Sequence, residues 1–430
     1  SYVKPIESHF LPFMEDAILA EIVLGNICSL SEAIDYIKNT FFYVRYLKNP
    51  DKYGRKPGKD PQEFLFDKIF TTLENLHTLR LIRFDPTNNV VEHTELGRIA
   101  SHYYVSCQTM EKLCNYLAVY EEDDQKKLWE ISENNLLGII AQANEFEQIS
   151  AKPDEEEELG KLKKQFSHIE VDMEFKSLHK STKTPGQEKG GSSFDSLEKV
   201  ILLMWGYFNG VRYDNYSLTA DTMYIVQNGS RIIRCLLDIA IMQNAASLAE
   251  TILVVTRNLE NCVGPDQTPL RMFCLDNYER SAVAMKAQNH EISRMNYLQG
   301  ATCHKLETFG QGMMNVYDVG SMRDNFAPVF DLHLPEAQTK LLRMAVNAFP
   351  LLDIEYEVKP IAQSILEVTV YIKPMLRHNR PWHFGREVVW VLAVDGRELL
   401  HHSQVLINPA ESDLRTLEEV GREHSIRHSF

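Results

Sequence analysis

The residues with the clearest potential for chemistry form a polar stripe on one face of a predicted helix. At about 100° per residue, the apolar positions of Leu218–Met242 share one broad arc. The opposite arc carries Tyr224, Gln227, Arg231, Arg234 and Asp238, with Asn228 at its margin. Arginines three positions apart lie close enough on a helix to meet neighbouring phosphates of an extended strand. The stripe therefore indicates either a site for a polyanion or the solvated face of an ordinary amphipathic helix.

The element that must position this stripe is one long helix, Leu218–Met242. Ser217 is its predicted N-cap, and Asp221 lies in its first turn, where a carboxylate interacts favourably with the helix dipole. Asp238 carries the wrong charge for a phosphate. Any contact with a polyanion is therefore expected to weaken toward that end of the helix.

Motifs for catalysis are absent from the sequence. It contains no GxxxxGK[ST] phosphate loop and no DExH-type magnesium motif, and the glycines of Gly186–Gly191 have the wrong spacing. His102, His401 and His402 have no identifiable nucleophile or carboxylate partner in the sequence. We therefore expect that this chain alone is not an enzyme and binds no cofactor of its own.

Composition narrows the classes of partner. The net charge is −15 at pH 7, so nucleic acid would have to be bound by a local stripe rather than by a basic surface. The seven cysteines form no CxxC pair and no zinc spacing, which indicates reduced thiols in a nuclear or cytosolic protein without a metal site. No apolar run approaches the ~18 residues of a membrane span. The chain opens without Met or a signal segment, and we expect a soluble piece of a longer protein.

The first part of the chain, 1–105, has the pattern of a winged helix. Several segments with helical periodicity are followed by LRLIRF, the turn Asp85–Asn89 and VVEHT, which together indicate a hairpin. The helix before this hairpin offers only Lys68 and Arg80 as cations. A structural use of the winged helix is therefore favoured over the reading of DNA.

The remainder predicts a mainly α protein with a small β domain at its end. A helical bundle is expected over 106–275, including an acidic, solvated helix start after Pro153 and a flexible loop at 176–196. Short helices follow at 276–350, one of them from Pro335 to Ala348. Period-two patterns then predict four strands within 351–408, and 409–430 is expected to be a short charged helix or a disordered tail.

Eight blocks of the sequence resemble one protein family. They are PIESHF (Pro5–Phe10), AEIVLGNI (Ala20–Ile27), FFYVRYLKNPDKYG (Phe41–Gly54), ELGRIASHYYVS (Glu95–Ser106), ANEFEQI (Ala143–Ile149), YIVQNGSRIIR (Tyr224–Arg234), TPLRMF (Thr268–Phe273) and the late pair VKPI with LHH. Together they resemble the non-motor half of helicase cassettes in the Ski-like branch of superfamily two, often called the Sec63 homology unit. Some blocks are similar to the spliceosomal double-cassette branch and others to the cointegrator-complex branch.

The resemblance implies an arrangement and a role for each part. Two RecA-like motor domains that bind ATP and magnesium would precede the winged helix, which packs against them. A helical bundle would close over a single strand, and Leu218–Met242 would be the ratchet helix that touches it. Its strand-facing residues would be Gln227, Asn228, Arg231 and Arg234. A helix–loop–helix and an immunoglobulin-like β-sandwich would follow.

Two features depart from the family pattern. The loop Asp331–Gln338, which corresponds to the phosphate-binding loop of helix–hairpin–helix modules, contains no glycine, although glycine permits the close approach that such binding needs. The four predicted strands are also fewer than the roughly seven of an immunoglobulin-like sandwich, so we expect the β domain either to be truncated or to take its remaining strands from elsewhere.

These observations predict the strand-guiding and regulatory half of a nuclear, spliceosomal-type, ATP-dependent RNA helicase that acts on ribonucleoprotein complexes. Its expected partners are single-stranded RNA or DNA, the RecA-like motor domains of the same protein and other subunits of the complex. The cytoplasm is a second expected location. The alternatives are a catalytically silent protein-interaction cassette, the equivalent half of a cointegrator-complex-type helicase, and a winged-helix DNA-binding factor.

Overall fold

The described part of the chain is mainly helical, as the sequence predicts. The computed structural model describes residues 6–54, 60–117, 131–166, 194–264, 267–274, 297–308, 316–362, 365–374, 387–396, 398–407 and 422–429. Within these ranges, no helix has the length and apolar character needed to cross a membrane.

Within the described residues, the winged helix contains five α-helices and one hairpin. Its elements are α1 (Met14–Val23), α2 (Leu30–Lys38), α3 (Phe41–Lys48), α4 (Pro61–Thr78), β1 (Ile82–Asp85), β2 (Val90–His93) and α5 (Glu95–Tyr103). The strands pair antiparallel, with Ile82 opposite His93, which confirms the predicted hairpin. Thr94 joins the hairpin to α5, because its side chain accepts from the Gly97 amide at 3.2 Å and donates to the Leu81 carbonyl at 2.9 Å.

The residues just before α1 are tied to the rest of the winged helix by a carboxylate. Glu7 accepts hydrogen bonds from Arg45 Nη2 at 3.0 Å and from the Tyr53 hydroxyl at 2.8 Å. The hydrogen bond from Arg45, followed by that from Tyr53, lowers the pKa of Glu7 to about 2. This contact fixes the entry of the chain onto α3 while Glu7 is ionised.

A helical bundle follows the winged helix. Its helices are α6 (Cys107–Tyr116), α7 (Glu133–Ala141), α8 (Glu156–Gln165), α9 (Ser196–Phe208), α10 (Tyr216–Met242) and α11 (Ala246–Asn261). One continuous hydrophobic core joins these helices to the winged helix. Residues 176–193 of the predicted flexible loop 176–196 lie outside the described residues. The end of that prediction is wrong, because α9 begins at Ser196.

The next region has a core of its own. Its helices are α12 (Gly300–Glu307), α13 (Val316–Asp324) and α14 (Glu336–Ala348). Leu306, Val319, Leu342 and Val346 are among the buried residues that pack together there. The predicted helix from Pro335 to Ala348 is observed as α14, with Pro335 as its N-cap residue.

Among the residues that the structure describes, the β domain has the four predicted strands within 351–408 and a fifth strand in the tail. They are β3 (Leu352–Ala362), β4 (Ile365–Pro374), β5 (Glu387–Asp395), β6 (Glu398–Ile407) and β7 (Arg422–Ser429). The order is β3-β4-β7 in one sheet and β5-β6 in the other, with antiparallel pairing throughout. The tail predicted as a helix or as disordered is instead a strand at 422–429, because its backbone pairs with β4; residues 409–421 lie outside the described ranges.

Candidate nucleic-acid interface

The long helix α10 starts two residues earlier than the sequence predicts. Its N-cap is Asn215, whose side chain accepts a hydrogen bond from the Ser217 amide at 2.8 Å. Ser217 was the predicted cap, and that prediction is wrong: its hydroxyl accepts instead from Lys152 Nζ at 2.6 Å. Asn and Ser are about equally good N-caps, so their order along the chain does not decide which one is used.

A buried ion cluster anchors the first turns of α10. Lys199 Nζ donates to Glu155 Oε2 at 2.6 Å, to Asp221 Oδ2 at 2.7 Å and to the Ser150 carbonyl at 3.1 Å. The side chains of Lys199 and Glu155 are both 0% exposed. Asp221 therefore serves as an anchor between α10 and α9, in addition to any interaction with the helix dipole.

This cluster corrects the prediction of a solvated acidic start after Pro153. Burial acts to raise the pKa of Glu155, but the hydrogen bonds from Lys199 and from the Lys152 amide outweigh it, so the pKa is lowered and the carboxylate stays ionised. Sequence reasoning missed Lys199, although a single lysine in the apolar run Leu197–Trp205 was a usable signal. A buried lysine requires a carboxylate partner.

The apolar side of α10 lies where the periodicity predicts. The residues Ile225, Val226, Ile232, Ile233, Leu236, Leu237 and Ile239 are all buried. Gly229 lies on the same side, where a Cβ atom would be 3.8 Å from the Met204 methyl group of α9. The helix is thus held against α9 and α11, and its polar stripe faces the surface.

The four predicted strand-facing residues lie together on that stripe but differ in exposure. Gln227 and Arg234 are exposed, whereas Asn228 and Arg231 are half-buried. Arg234 lies seven positions after Gln227, which is about 10 Å along the helix axis. The surface open to an external ligand is therefore formed mainly by Gln227 and Arg234, two of the four predicted residues.

Arg231 is largely engaged within the protein. Its Nη1 donates to the carbonyl oxygens of Tyr103 at 3.2 Å and Tyr104 at 2.7 Å, and its Nη2 donates to Asn228 Oδ1. Those carbonyls lie at the C-terminal end of α5, where backbone acceptors need partners from outside the helix. Arg231 is therefore partly committed to contacts within the protein. Arginine has five N–H donors, so two remain after these three bonds.

Arg234 is the more available cation. Its Nη2 donates to Glu260 Oε1 of α11 at 3.1 Å, and the two side chains are 49% and 38% exposed. An ion pair this exposed contributes only about 0–1 kcal/mol, so a phosphate can compete with Glu260 for the guanidinium. The Gln227 amide has no polar partner among the residues that the structure describes.

The two ends of the stripe are fixed to the loops that flank it. The Tyr224 hydroxyl donates to the Glu145 carbonyl at 3.1 Å, and the Tyr103 hydroxyl donates to Asp238 Oδ2 at 3.0 Å. Burial, followed by the charge of Asp238, raises the pKa of Tyr103 to about 12, so the phenol stays protonated and keeps donating. Asp238 is thus held by α5, beyond the two arginines.

The described residues contain no cluster of three or more His, Cys, Asp or Glu side chains suited to a metal ion.

Residues 93–421 match the Sec63 Brl domain, which covers well over half of the chain. The chain belongs to the Sec63 Brl domain family. Residues 7–80 match a winged helix-turn-helix domain, in agreement with the fold of α1 to α4.

The relatives of this Sec63 Brl chain are much longer proteins. It is 27% identical over 413 residues to activating signal cointegrator 1 complex subunit 3 of Dictyostelium discoideum, which covers 93% of this chain and 16% of that protein. It is 27% identical over 410 residues to the U5 small nuclear ribonucleoprotein 200 kDa helicase of Drosophila melanogaster, which covers 94% and 16%. The DExH-box ATP-dependent RNA helicase DExH12 of Arabidopsis thaliana is 26% identical over 410 residues, with the same coverage.

The match to the Sec63 Brl domain includes every element of the candidate interface. It begins at His93, just before α5, and therefore contains the C-terminal end of α5, the ion cluster around Lys199 and all of α10. The chain spans 16% of the length of these relatives. Its structure thus presents a helicase-associated unit with one exposed stripe on a well-anchored helix.

Proposed function

We propose that this chain is the strand-guiding and regulatory half of an ATP-dependent RNA helicase that acts on ribonucleoprotein complexes. The single observation that carries the proposal is the exposure of Gln227 and Arg234, about 10 Å apart, on the polar face of a helix whose opposite face is buried. Similarity to much longer relatives, which include an RNA helicase and a small nuclear ribonucleoprotein helicase, supports it.

The stripe would act as a passive guide for a strand that the motor moves. Arg234, together with the two remaining donors of Arg231, would hold phosphates, since arginine binds phosphate strongly. The amide of Gln227 would bond to phosphate or base oxygens. ATP and magnesium would bind to RecA-like motor domains elsewhere in the parent protein. Since α10 is anchored at Asp221, Arg231 and Asp238, the strand would slide over a surface that does not itself change shape.

The host complex is part of this proposal. We favour a nuclear ribonucleoprotein complex of the spliceosomal type, and a cointegrator-complex type is the second candidate. The identities of 27% to a relative of each kind do not distinguish them.

One observation favours a different function, a catalytically silent platform for other proteins. Arg231 already donates to two carbonyls and to Asn228, Arg234 is paired with Glu260, and the chain carries a net charge of −15. Helix α3 also exposes Phe41 and Leu47 to 55% and 52%, which is suitable for a protein partner. A platform would retain its protein partners and have no measurable affinity for single-stranded RNA.

The dependence of RNA affinity on salt tests the proposal. Each phosphate that a cation neutralises contributes roughly 0.7 to the slope of log affinity against log salt for a single strand. Arg234→Gln is therefore expected to flatten the slope by about 0.7. The measurement should use the chain joined to its own motor domains, because the motor would supply the other wall of the groove.

The matched control is Lys38→Gln in the winged helix. Lys38 has a similar exposure of 42% and a similar pairing, with Asp35 at 3.2 Å. Its replacement should change the slope by much less than that of Arg234. Equal slopes for the parent and the Arg234→Gln variant would contradict the strand-guiding role, and a complete lack of RNA binding by the parent would favour the platform.

A further inference from the structure

An exposed tyrosine lies beside the stripe, and its side chain makes no hydrogen bond within the part of the chain that the structure describes. Tyr104 follows the last residue of α5, and its side chain is 81% exposed. The two neighbouring side chains, in contrast, contact the rest of the protein. The Tyr103 hydroxyl donates a hydrogen bond to Asp238, and Val105 is buried. The large apolar ring of Tyr104 therefore remains in solvent between two residues that anchor the chain.

The backbone of Tyr104 is in a conformation that a tyrosine adopts at a cost. Its φ is +53°, in the left-handed region, as the C-cap of α5. Glycine, or sometimes Asn, usually occupies this position at the end of a helix. A bulky residue with positive φ is uncommon, and such strain concentrates at functional sites. The sequence keeps a large aromatic ring at a position where a smaller residue fits the backbone better.

The position of Tyr104 is set by the stripe itself. Its carbonyl accepts from Arg231 Nη1 at 2.7 Å, which places its backbone against the middle of α10. Two residues further on, the Ser106 amide donates to Glu145 Oε1 at 3.0 Å, and the Glu145 carbonyl accepts from Tyr224. The turn that presents Tyr104 is thus tied to the stripe on both sides, between the levels of Tyr224 and Asp238.

We propose that Tyr104 is a stacking platform for a base of the single strand that α10 guides, and that Arg231 positions it. This inference rests on the proposed function and adds a contact with bases to the contacts with phosphates. Aromatic side chains stack on any base because each base has a π-face, so the contact suits a strand that moves through the groove without regard to sequence. Arg231, being bonded to the Tyr104 carbonyl, would set the height of the ring along the helix.

Substitutions at position 104 separate stacking from folding. Tyr104→Gly relieves the left-handed strain and should leave thermal stability equal or higher, while it weakens binding of an oligoadenylate by about fivefold or more. Tyr104→Phe retains the ring and should bind as the parent does. Tyr356→Ala is the control, because Tyr356 lies on β3 with a similar exposure of 74% and should have no effect on binding.

A second probe separates base contacts from phosphate contacts. An abasic oligonucleotide of the same length retains the phosphates, so Tyr104→Gly should not change its affinity, and the salt slope for oligoadenylate should match that of the parent. If Tyr104→Gly binds oligoadenylate as the parent does while Arg234→Gln flattens the salt slope, the platform at Tyr104 is refuted and the guiding stripe stands. If the parent binds neither probe, the proposed function itself has failed.

Discussion

Replacement of Lys199 by methionine is the most informative perturbation of stability. Lys199→Met retains most of the volume of the side chain but removes the hydrogen bonds of 2.6 Å to Glu155, 2.7 Å to Asp221 and 3.1 Å to the Ser150 carbonyl. Glu155 is 0% exposed and would keep the hydrogen bond of 3.0 Å from the Lys152 amide and a longer ion pair of 3.9 Å with Lys152 Nζ. Breaking a buried ion pair from one side costs about 3–5 kcal/mol, so we expect a loss of that size in the free energy of unfolding at pH 7.

The loss should depend on pH in a defined direction. In the parent the pKa of Glu155 is lowered, so its contribution is present above the ordinary pKa of a glutamate and is lost as the pH falls through the lower, folded value. In Lys199→Met, burial is opposed by the weaker contacts with Lys152, so the pKa of Glu155 should rise above its value in the parent. Protonation then relieves the poorly paired charge, and the difference between variant and parent should shrink between pH 7 and pH 5.

Urea unfolding followed by far-UV circular dichroism measures this loss. The control is Lys163→Met, which removes a pair with Glu198 of 2.7 Å whose side chains are 60% and 34% exposed, and which should cost less than about 1 kcal/mol. The double variant Lys199→Met with Glu155→Met should recover much of the loss, because an apolar pair replaces the ions. A loss of under about 1 kcal/mol in Lys199→Met would refute the view that this cluster anchors α10.

Three further predictions concern other contacts. Because the pKa of Glu7 is about 2, its contribution to stability should be complete above about pH 4.5 and should be lost as the pH falls toward 2. In Glu7→Gln the midpoint of thermal unfolding should therefore depend less on pH over that window, and a pH dependence equal to that of the parent would contradict the contact. Gly97→Ala would place a methyl group 2.1 Å from the Leu81 carbonyl oxygen, so it should destabilise the chain by about 1–3 kcal/mol in urea unfolding, and parent-like stability would disprove that close packing. Arg231→Gln should lower the free energy of unfolding by about 1–2 kcal/mol, because the hydrogen bonds to α5 are lost. Arg234→Gln should change it by less than about 1 kcal/mol, because its ion pair is exposed. Equal effects of the two variants in thermal unfolding would argue against the positioning role of Arg231.

The helix and its apolar side could be predicted because their pattern is local. Periodicity in Leu218–Met242 correctly assigns the buried residues and identifies the face that holds the stripe. The partners of the stripe could not be predicted in this way. The bond from Arg231 to Tyr103 spans 128 positions and that from Arg234 to Glu260 spans 26, and no short pattern specifies either contact.

The strand β7 could not be predicted because its sequence has no suitable alternation. Arg422–Ser429 reads REHSIRHS, with Ile426 as its one aliphatic residue, so a pattern of period two is missing. Its backbone nevertheless pairs with β4 over eight positions, from Ile365 opposite Ser429 to Ile372 opposite Arg422. The pairing of the strand, rather than its side-chain pattern, determines its conformation.

The most direct test of the central claim is photochemical crosslinking between a single-stranded RNA that contains 4-thiouridine and the chain joined to its motor domains, with the modified peptides identified by mass spectrometry. We predict crosslinks within Tyr224–Arg234 of α10. Crosslinks confined to the hairpin Ile82–His93, with none on α10, would contradict the claim that this helix guides the strand.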